Sequence, residues 1–285
     1  IHRMRIDQLL VERGLAASRS QAQRLIAGGV QWQLPDGSWR AVVKNRDEVP
    51  VGAALQLLDD AESRYVSRGG LKLEGALKAT GVQVDGLRCL DVGQSTGGFT
   101  DCLLQNGAAE VVGIDVGHAQ VHPRIQGDER VVCIEGVNAR ELEPGDERIP
   151  DALEGFDLMV GDVSFISLTL VLPGVVHLLK PTGQLLMLVK PQFELQPGQV
   201  GKGGIVKDDS HYPFIENRVR TALTDLGMQV TAWLDSPIEG GDGNREFFVQ
   251  ACWPDPAAVL PAREKAREAH EADLAAKAYA KANDY

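Results

Sequence analysis

Residues 87–101, LRCLDVGQSTGGFTD, run from a short apolar segment through a glycine-rich turn into the start of a helix. Leu87 to Val92 reads as a buried parallel strand, Gly93 to Gly98 as the turn and Phe99 to Asn106 as helix. Glycine has no Cβ and takes φ > 0 freely, so such a turn lets a ligand approach bare backbone. The arrangement is the first β-turn-α unit of a nucleotide-type binding sheet. Gly93-x-x-x-Gly97-Gly98 is not the G-x-G-x-x-G dinucleotide pattern, and it lacks the Gly-Lys-Ser/Thr ending of a phosphate-binding loop. Pyrophosphate and triphosphate ligands are therefore disfavoured. Asp115, closing EVVGID, follows about 20 residues later, where its carboxylate can accept hydrogen bonds from a ribose diol. These features fit an adenosine ligand without a phosphate chain, of which S-adenosyl-L-methionine is the common one. An ordinary α/β turn holding no ligand is the competing reading.

Outward from this unit, strand signals recur at Glu110 to Asp115, Val131 to Glu135, Phe156 to Asp162, Gln184 to Lys190, Val230 to Leu234 and Glu246 to Ala251. Helices are expected over 97–106, 165–179 and 212–227. Seven strands with interleaved helices predict an α/β fold with a Rossmann-like, doubly wound, mostly parallel sheet. The loop Asp235 to Arg245 is too short and glycine-rich for a crossover helix, so the last two strands are expected to pair antiparallel. That ending is typical of S-adenosylmethionine-dependent methyltransferases.

Functional groups in such sheets gather at the carboxyl ends of the strands. Asp162 ends FDLMVGD and Lys190 ends LLMLVK, and strands about 5 Å apart allow the two side chains to meet beside the glycine turn. Glu246 begins the last strand. Lys72 falls in the first turn of a helix opened by SRYVSRGGLKLEGALKATG, with Ser67 the expected N-cap and Leu71, Leu73, Ala76 and Leu77 facing inward. A cation there opposes the helix dipole at a cost of a few tenths of a kcal/mol, which some partner should offset. Singly, each of these charges reads as a solvated strand or helix end; four at one rim point to a site.

The 285 residues suffice for one large domain with a small companion, and 44% apolar with 24% charged residues is ordinary for a globular chain. Cysteines 89, 102, 133 and 252 show neither C-x-x-C spacing nor histidine pairing, so neither a metal site nor a disulfide framework is proposed and a reducing, cytoplasmic setting is expected. Leu168 to Leu179, the longest apolar stretch, contains Pro173 and His177 and is too short to span a bilayer. With no signal-peptide pattern either, membrane is not an expected partner. A net charge of −11 argues against broad polyanion binding, and DNA is not expected. Its distribution is uneven, for residues 1–30 carry +3 and the remainder −14. Any electrostatic grip on RNA is concentrated at the amino-terminal end.

That end, MRIDQLLVERGLAASRSQAQRLIAGGV (4–30), reads as two short helices with a turn at Gly14 and a stop at Gly28-Gly29. Leu9, Leu10 and Val11 form one apolar stripe, Ala22, Leu25 and Ile26 the other, and Ser18 is the expected cap of the second helix. Short alternating strands follow at 30–34, 39–43 and 54–58. The segment resembles the small RNA-binding module of ribosomal-protein-S-four type, and the resemblance implies Arg5, Arg19 and Arg24 as contacts to RNA phosphates.

The larger part is similar to the TlyA family, historically named hemolysins, and more widely to FtsJ-like ribose 2′-O-methyltransferases. The segments that carry this are SRGGLKL (67–73), LDVGQSTGGFTDCLL (90–104), VGDVSFISL (160–168), LVKPQFE (188–194), GKGGIVKD (201–208) and GNREFF (243–248). It implies an enzyme acting on rRNA or ribosomal subunits, with cytidine targets in small- and large-subunit rRNA. It also implies a catalytic tetrad at Lys72, Asp162, Lys190 and Glu246, and a cofactor site over Asp91, Gly93, Ser95, Gly97, Gly98, Asp115, Asn138 and Asp162. Gln94 departs from the pattern, where a small residue is expected, and could alter the cofactor pocket. The expected organisation is an RNA-binding domain over 1–60, a linker over 61–64, a methyltransferase domain over 65–254 and a helical or partly disordered tail over 255–285.

A ribose 2′-hydroxyl is a poor nucleophile near neutral pH, so the protein must deprotonate it and align it with an activated methyl. Lys190 is expected as general base, its neutral form favoured by partial burial and by neighbouring Lys72. Asp162 would orient Lys190, and Lys72 with Glu246 would hold the ribose and the lysine. Methylation of base amino groups usually uses an Asn/Asp-Pro-Pro-aromatic strand end, replaced here by Gly161-Asp162-Val163-Ser164, and carbon-5 methylation needs a strand-end cysteine that is missing at 162 and 190. An RNA-binding protein with an inactive catalytic domain and a membrane-lytic hemolysin are the alternatives.

Overall fold

Near-continuous apolar runs buried on both faces build the main sheet, and a computed structural model of the protein describes residues 1–58, 64–241, 243–255 and 259–283. The chain forms two units, 1–71 and 72–285. The division falls between Leu71 and Lys72, later than the expected linker, of which only Arg64 lies within the described residues.

In the first unit, β1 (Arg3–Arg5) leads into α1 (Ile6–Glu12) and α2 (Arg19–Gly28), followed by β2 (Val30–Gln33), β3 (Trp39–Ala41), β4 (Glu48–Pro50) and β5 (Leu55–Leu57). Ser18 caps α2, its side chain accepting from the Gln21 N–H at 3.1 Å. The strands order β3-β2-β5, and β1 pairs with β4, a ribbon too short to leave a sequence signal. Ile6, Leu9, Leu10, Ala22, Leu25 and Ile26 form the core with Val30, Trp32 and Val49. Val11 does not belong to that stripe: it is exposed, because Leu9 and Leu10 already fill the inward face of so short a helix.

The second unit contains most of α3 (Gly69–Thr80), then β6 (Arg88–Val92), α4 (Gly98–Gln105), β7 (Glu110–Ile114), α5 (Pro123–Gln126), β8 (Val131–Ile134), β9 (Phe156–Gly161), α6 (Leu168–Val175), β10 (Leu179–Val189), α7 (His211–Asp225), β11 (Gln229–Asp235), β12 (Phe247–Cys252) and α8 (Val259–Ala282). All seven expected strands form one sheet of order β11-β12-β10-β9-β6-β7-β8. From β10 to β8 the pairs are parallel, and β12 lies antiparallel between β10 and β11. Leu90, Val92, Met159, Met187 and Val249 share one core with Leu172 and Val175 of α6 and Ile215 and Val219 of α7. On the sheet's other face Phe248 stacks on Phe99 of α4, with ring centroids 6.1 Å apart. Strand order reverses at β6 and β9, so a crevice opens beyond their carboxyl ends.

The alanine-rich, highly charged carboxyl-terminal segment is helical as α8 and packs on α6. Lys277 pairs there with Glu141 and Asp273. No helix among the described residues is long and apolar enough to cross a membrane.

Candidate active site

Strand register assembles the rim before any side chain is considered. Val92 and Gly161 are partners in β6 and β9, so Gly93 and Asp162 emerge side by side, with the Asp162 N–H donating to the Val92 carbonyl at 3.0 Å. Val189 opposes Phe247 in the antiparallel pair, so Lys190, one residue past β10, faces Glu246, one residue before β12. Lys190 Nζ lies 2.5 Å from Asp162 Oδ1 and donates to the Ser164 hydroxyl at 2.9 Å. Lys72 Nζ lies 2.5 Å from Glu246 Oε1, both side chains buried. Burial pushes the Glu246 carboxyl up, the charge and hydrogen bond of Lys72 and the charge of Lys190 pull it down, and burial prevails. The four charges thus form two adjacent ion pairs. Lys72 is the cation whose helix-dipole cost needed a partner, and Glu246 supplies it.

Beside them lies a cavity of about 360 Å³, large enough for a nucleoside-sized ligand. Gly93, Ser95, Asp115, Asn138 and Asp162 line it, together with Val116, Gln120, Val137, Phe165, Ile166 and Val171. The Asp115 carboxylate accepts from the Ser95 N–H at 2.6 Å and the Gly117 N–H at 2.8 Å, which turns it toward the cavity wall. Asp91, Gly97 and Gly98 do not line it. Gly97, with φ of +107°, is the left-handed residue from which α4 starts, and Gly98 is that helix's first residue.

Asp91 is fully buried beneath the turn; the Thr100 hydroxyl donates to Oδ2 at 2.7 Å, and Oδ1 accepts from none of the described residues. Burial pushes the carboxyl up to about 7, with the Thr100 hydrogen bond opposing and the charges of Asp162 and Asp115 adding to the rise. An unfolded chain releases this proton near the ordinary 3.8, so between about 4 and 7 the folded state holds the extra proton and stability falls as pH rises. The shift corresponds to roughly 4 kcal/mol. Asp91→Asn, which cannot ionise and can still accept from Thr100, should therefore match the parent's melting temperature near pH 4 and exceed it by several degrees at pH 8; equal curves at both pH values would refute the buried-acid account.

Gln94 does not enter the cavity. It is buried in the opposite direction, its amide occupying the space over Gly113 of β7, where an added Cβ would lie 2.0 Å from it. Its Nε2 donates to Thr100 Oγ1 at 3.0 Å, so the large residue of the turn is matched by a glycine on the next strand and tied into the Thr100–Asp91 chain. The side chain expected to alter the pocket is thus accommodated away from its lining, by a glycine on the next strand.

Sequence reasoning passed over Ser164 and Phe165, although both sit in the quoted segment VGDVSFISL. Phe165 is 90% exposed with φ of +64°, an uncommon conformation for a bulky residue, and its ring lies 5.2 Å from that of Phe193. An open aromatic face beside a ribose-sized site is a surface on which an unstacked RNA base can pack.

In the first unit, Arg5 grips the fully buried Asp7 carboxylate through two hydrogen bonds, 3.1 and 2.8 Å, and Arg19 lies 3.4 Å from it. Burial would raise the Asp7 carboxyl, but the hydrogen bond and charge of Arg5, the Gln8 N–H and the charge of Arg19 outweigh it and hold it below the usual carboxylate range. Both arginines remain partly exposed, fixed in place by the anion under them. Arg24 lies on the same helix as Arg19 and is half-buried.

Residues 65–252 match the model of the FtsJ-like methyltransferases, and residues 4–29 match the S4 domain. The 16S/23S rRNA (cytidine-2′-O)-methyltransferase TlyA of Mycobacterium tuberculosis is 44% identical over 250 residues, covering 87% of this chain and 89% of that protein. The chain belongs to the TlyA family of FtsJ-like methyltransferases. Hemolysin A of Brachyspira hyodysenteriae is 38% identical over 86% of this chain and 98% of its own length. A solved structure of a hemolysin-named protein from Streptococcus thermophilus superposes with a TM-score of 0.67 at 36% identity over 96% of this chain and 98% of that one. The expected fold is thereby established, and the TlyA-like segments 160–168, 188–194 and 243–248 are those that supply Asp162, Lys190 and Glu246.

Proposed function

We propose that the protein is an S-adenosyl-L-methionine-dependent rRNA ribose 2′-O-methyltransferase whose targets are cytidines of small- and large-subunit rRNA. The observation that carries the reading is the placement of Lys190 Nζ between Asp162 and Ser164 at the rim of the crevice cavity. The activity of the Mycobacterium relative supports the choice of rRNA and of cytidine. The cavity also suits the cofactor. It has a glycine where backbone must be bare, a wall acid at Asp115 for ribose hydroxyls, and apolar sides at Val116, Val137 and Val171.

S-adenosylmethionine, when bound, supplies an electrophilic methyl group. Gly93, Ser95, Asp115 and Asn138 would hold it, while Asp91 supports the turn from below. Lys190 Nζ, in its neutral form, takes the proton of the ribose 2′-hydroxyl, and Asp162 then faces the ammonium so formed. Lys72 and Glu246, already paired, hold the second side of the ribose site without leaving a bare charge in it. Phe165 offers its ring to the target base. Arg5, Arg19 and Arg24 contact rRNA phosphates.

Incubation with labelled S-adenosylmethionine and unmodified ribosomal subunits, followed by nuclease mapping, tests the reading. Label on a ribose 2′-oxygen is expected. Binding without label would indicate an inactive RNA-binding protein, and lysis of red cells by the pure protein would favour the activity that the hemolysin names describe. For the amino-terminal module, Arg19→Ala should weaken rRNA binding severalfold and lower the slope of log affinity against log salt by about 0.7 to 0.9, the loss of one phosphate contact. An unchanged slope in a filter-binding titration would remove Arg19 from the interface.

A further inference from the structure

Glu194 sits four residues beyond Lys190, in the turn that closes LVKPQFE, and its side chain is buried. Its Oε1 accepts the backbone N–H of Leu168 at 2.7 Å and its Oε2 the hydroxyl of Ser167 at 2.5 Å. Ser167 and Leu168 open α6, so the carboxylate meets the start of a helix from a different segment of the chain. Ser167 also receives the Thr169 N–H at 3.2 Å, so that helix end has a local cap of its own. Burying a carboxylate is costly, and burial indeed pushes the Glu194 carboxyl up against the hydrogen bonds from Ser167 and Leu168 and the charge of Arg218. Arg218 donates to the Glu194 backbone carbonyl, at 3.1 Å. Ser167 serves only the Thr169 N–H; the acceptor for Leu168 is a costly one drawn from a different segment of the chain, and that choice calls for a purpose beyond capping.

What it joins supplies that purpose. The segment from Asp162 to Ser167 carries both acceptors of Lys190 and contains Phe165, whose φ of +64° is sustained only where the surroundings over-determine it. At its start the segment is held by the Asp162 N–H on β6. At its end it is held by Glu194, with the Phe165–Phe193 ring contact between. The turn that bears Glu194 begins at Lys190 itself, since the Phe193 N–H donates to the Lys190 carbonyl at 3.0 Å. The lysine and its two acceptors therefore belong to two segments that a single buried carboxylate fastens together.

We infer that Glu194 is a positioning residue for methyl transfer: its two hydrogen bonds lock the 162–167 segment onto the turn after Lys190 and so keep Lys190 Nζ between Asp162 and Ser164. The inference rests on the assignment of Lys190 as the base. In single-turnover assays on ribosomal subunits with S-adenosylmethionine, Glu194→Ala is expected to lower the rate roughly 100-fold, the scale of an ångström of misplacement, with dissociation constants for cofactor and subunit within about twofold of the parent. Glu194→Gln keeps the shape, accepts from Leu168 and donates to Ser167, whose own proton can pass to Thr169 Oγ1 at 2.7 Å, and is expected within about threefold of the parent rate. A Glu194→Ala protein that melts earlier but transfers at the parent rate overturns the inference, as does a Glu194→Gln protein no better than Glu194→Ala. If Glu194→Ala does not fold, Ser167→Ala, which removes one of the two bonds and leaves that to Leu168, must lower the rate severalfold below the parent, and a parent rate there overturns the inference equally. Lys190→Ala run alongside separates the two readings, because a full rate there removes the base assignment, whereas an inert Lys190→Ala beside a fully active Glu194→Ala removes only the role of Glu194.

Discussion

Lys190→Ala is expected to lower the single-turnover rate of methyl transfer by about a thousandfold while S-adenosylmethionine affinity, read by calorimetry, stays within about twofold. The magnitude is that of a lost general base, about 10²- to 10⁴-fold. Affinity is spared because Lys190 does not line the cavity; its Nζ reaches Asp162 and Ser164 at the rim. Folding is spared because the ammonium is partly exposed, and the Asp162 left behind keeps solvent contact as well. The parent's rate should climb with pH as one group loses its proton, since only neutral lysine accepts the hydroxyl proton. A Lys190→Ala rate within tenfold of the parent, or a flat parent profile, would leave the base unassigned.

Gly93→Ala is expected to abolish cofactor binding, with affinity falling more than a hundredfold and the melting temperature dropping by several degrees. Two costs add. Gly93 has φ of +79°, which an L-residue adopts at roughly 1–2 kcal/mol. Its new Cβ would also lie 2.5 Å from the Asp162 carbonyl oxygen, a distance that backbone must move to relieve. That backbone is hydrogen-bonded into β6 at Val92, so relief displaces either the cofactor turn or Asp162 with its lysine. Calorimetric titration and a thermal melt on the same preparation check both parts; retained affinity within tenfold would show that the turn tolerates a side chain and is not a cofactor cradle.

How much of the site was legible follows from how far each signal reaches along the chain. The strand ending at Val92, the turn at Gly93 and the acid at Asp115 could be read because apolar runs and glycine-borne left-handed backbone are imprinted on neighbouring residues. The antiparallel placement of the last strand followed from loop length alone, and β12 does run against β10 and β11. Val11 was misplaced because three successive apolar residues on a seven-residue helix cannot all face inward, and the pattern does not say which one turns out.

By itself, then, the sequence determined the α/β sheet, the order in which charged groups reach its rim, and the family to which the chain belongs. Only the tertiary structure decided who pairs with whom. Lys72 meets Glu246 across 174 residues, Gln94 fits over Gly113 from the next strand, and Glu194 clasps the start of α6. Each of these depends on strand register and on volume filled by a distant segment, and neither quantity is written in the spacing of nearby residues.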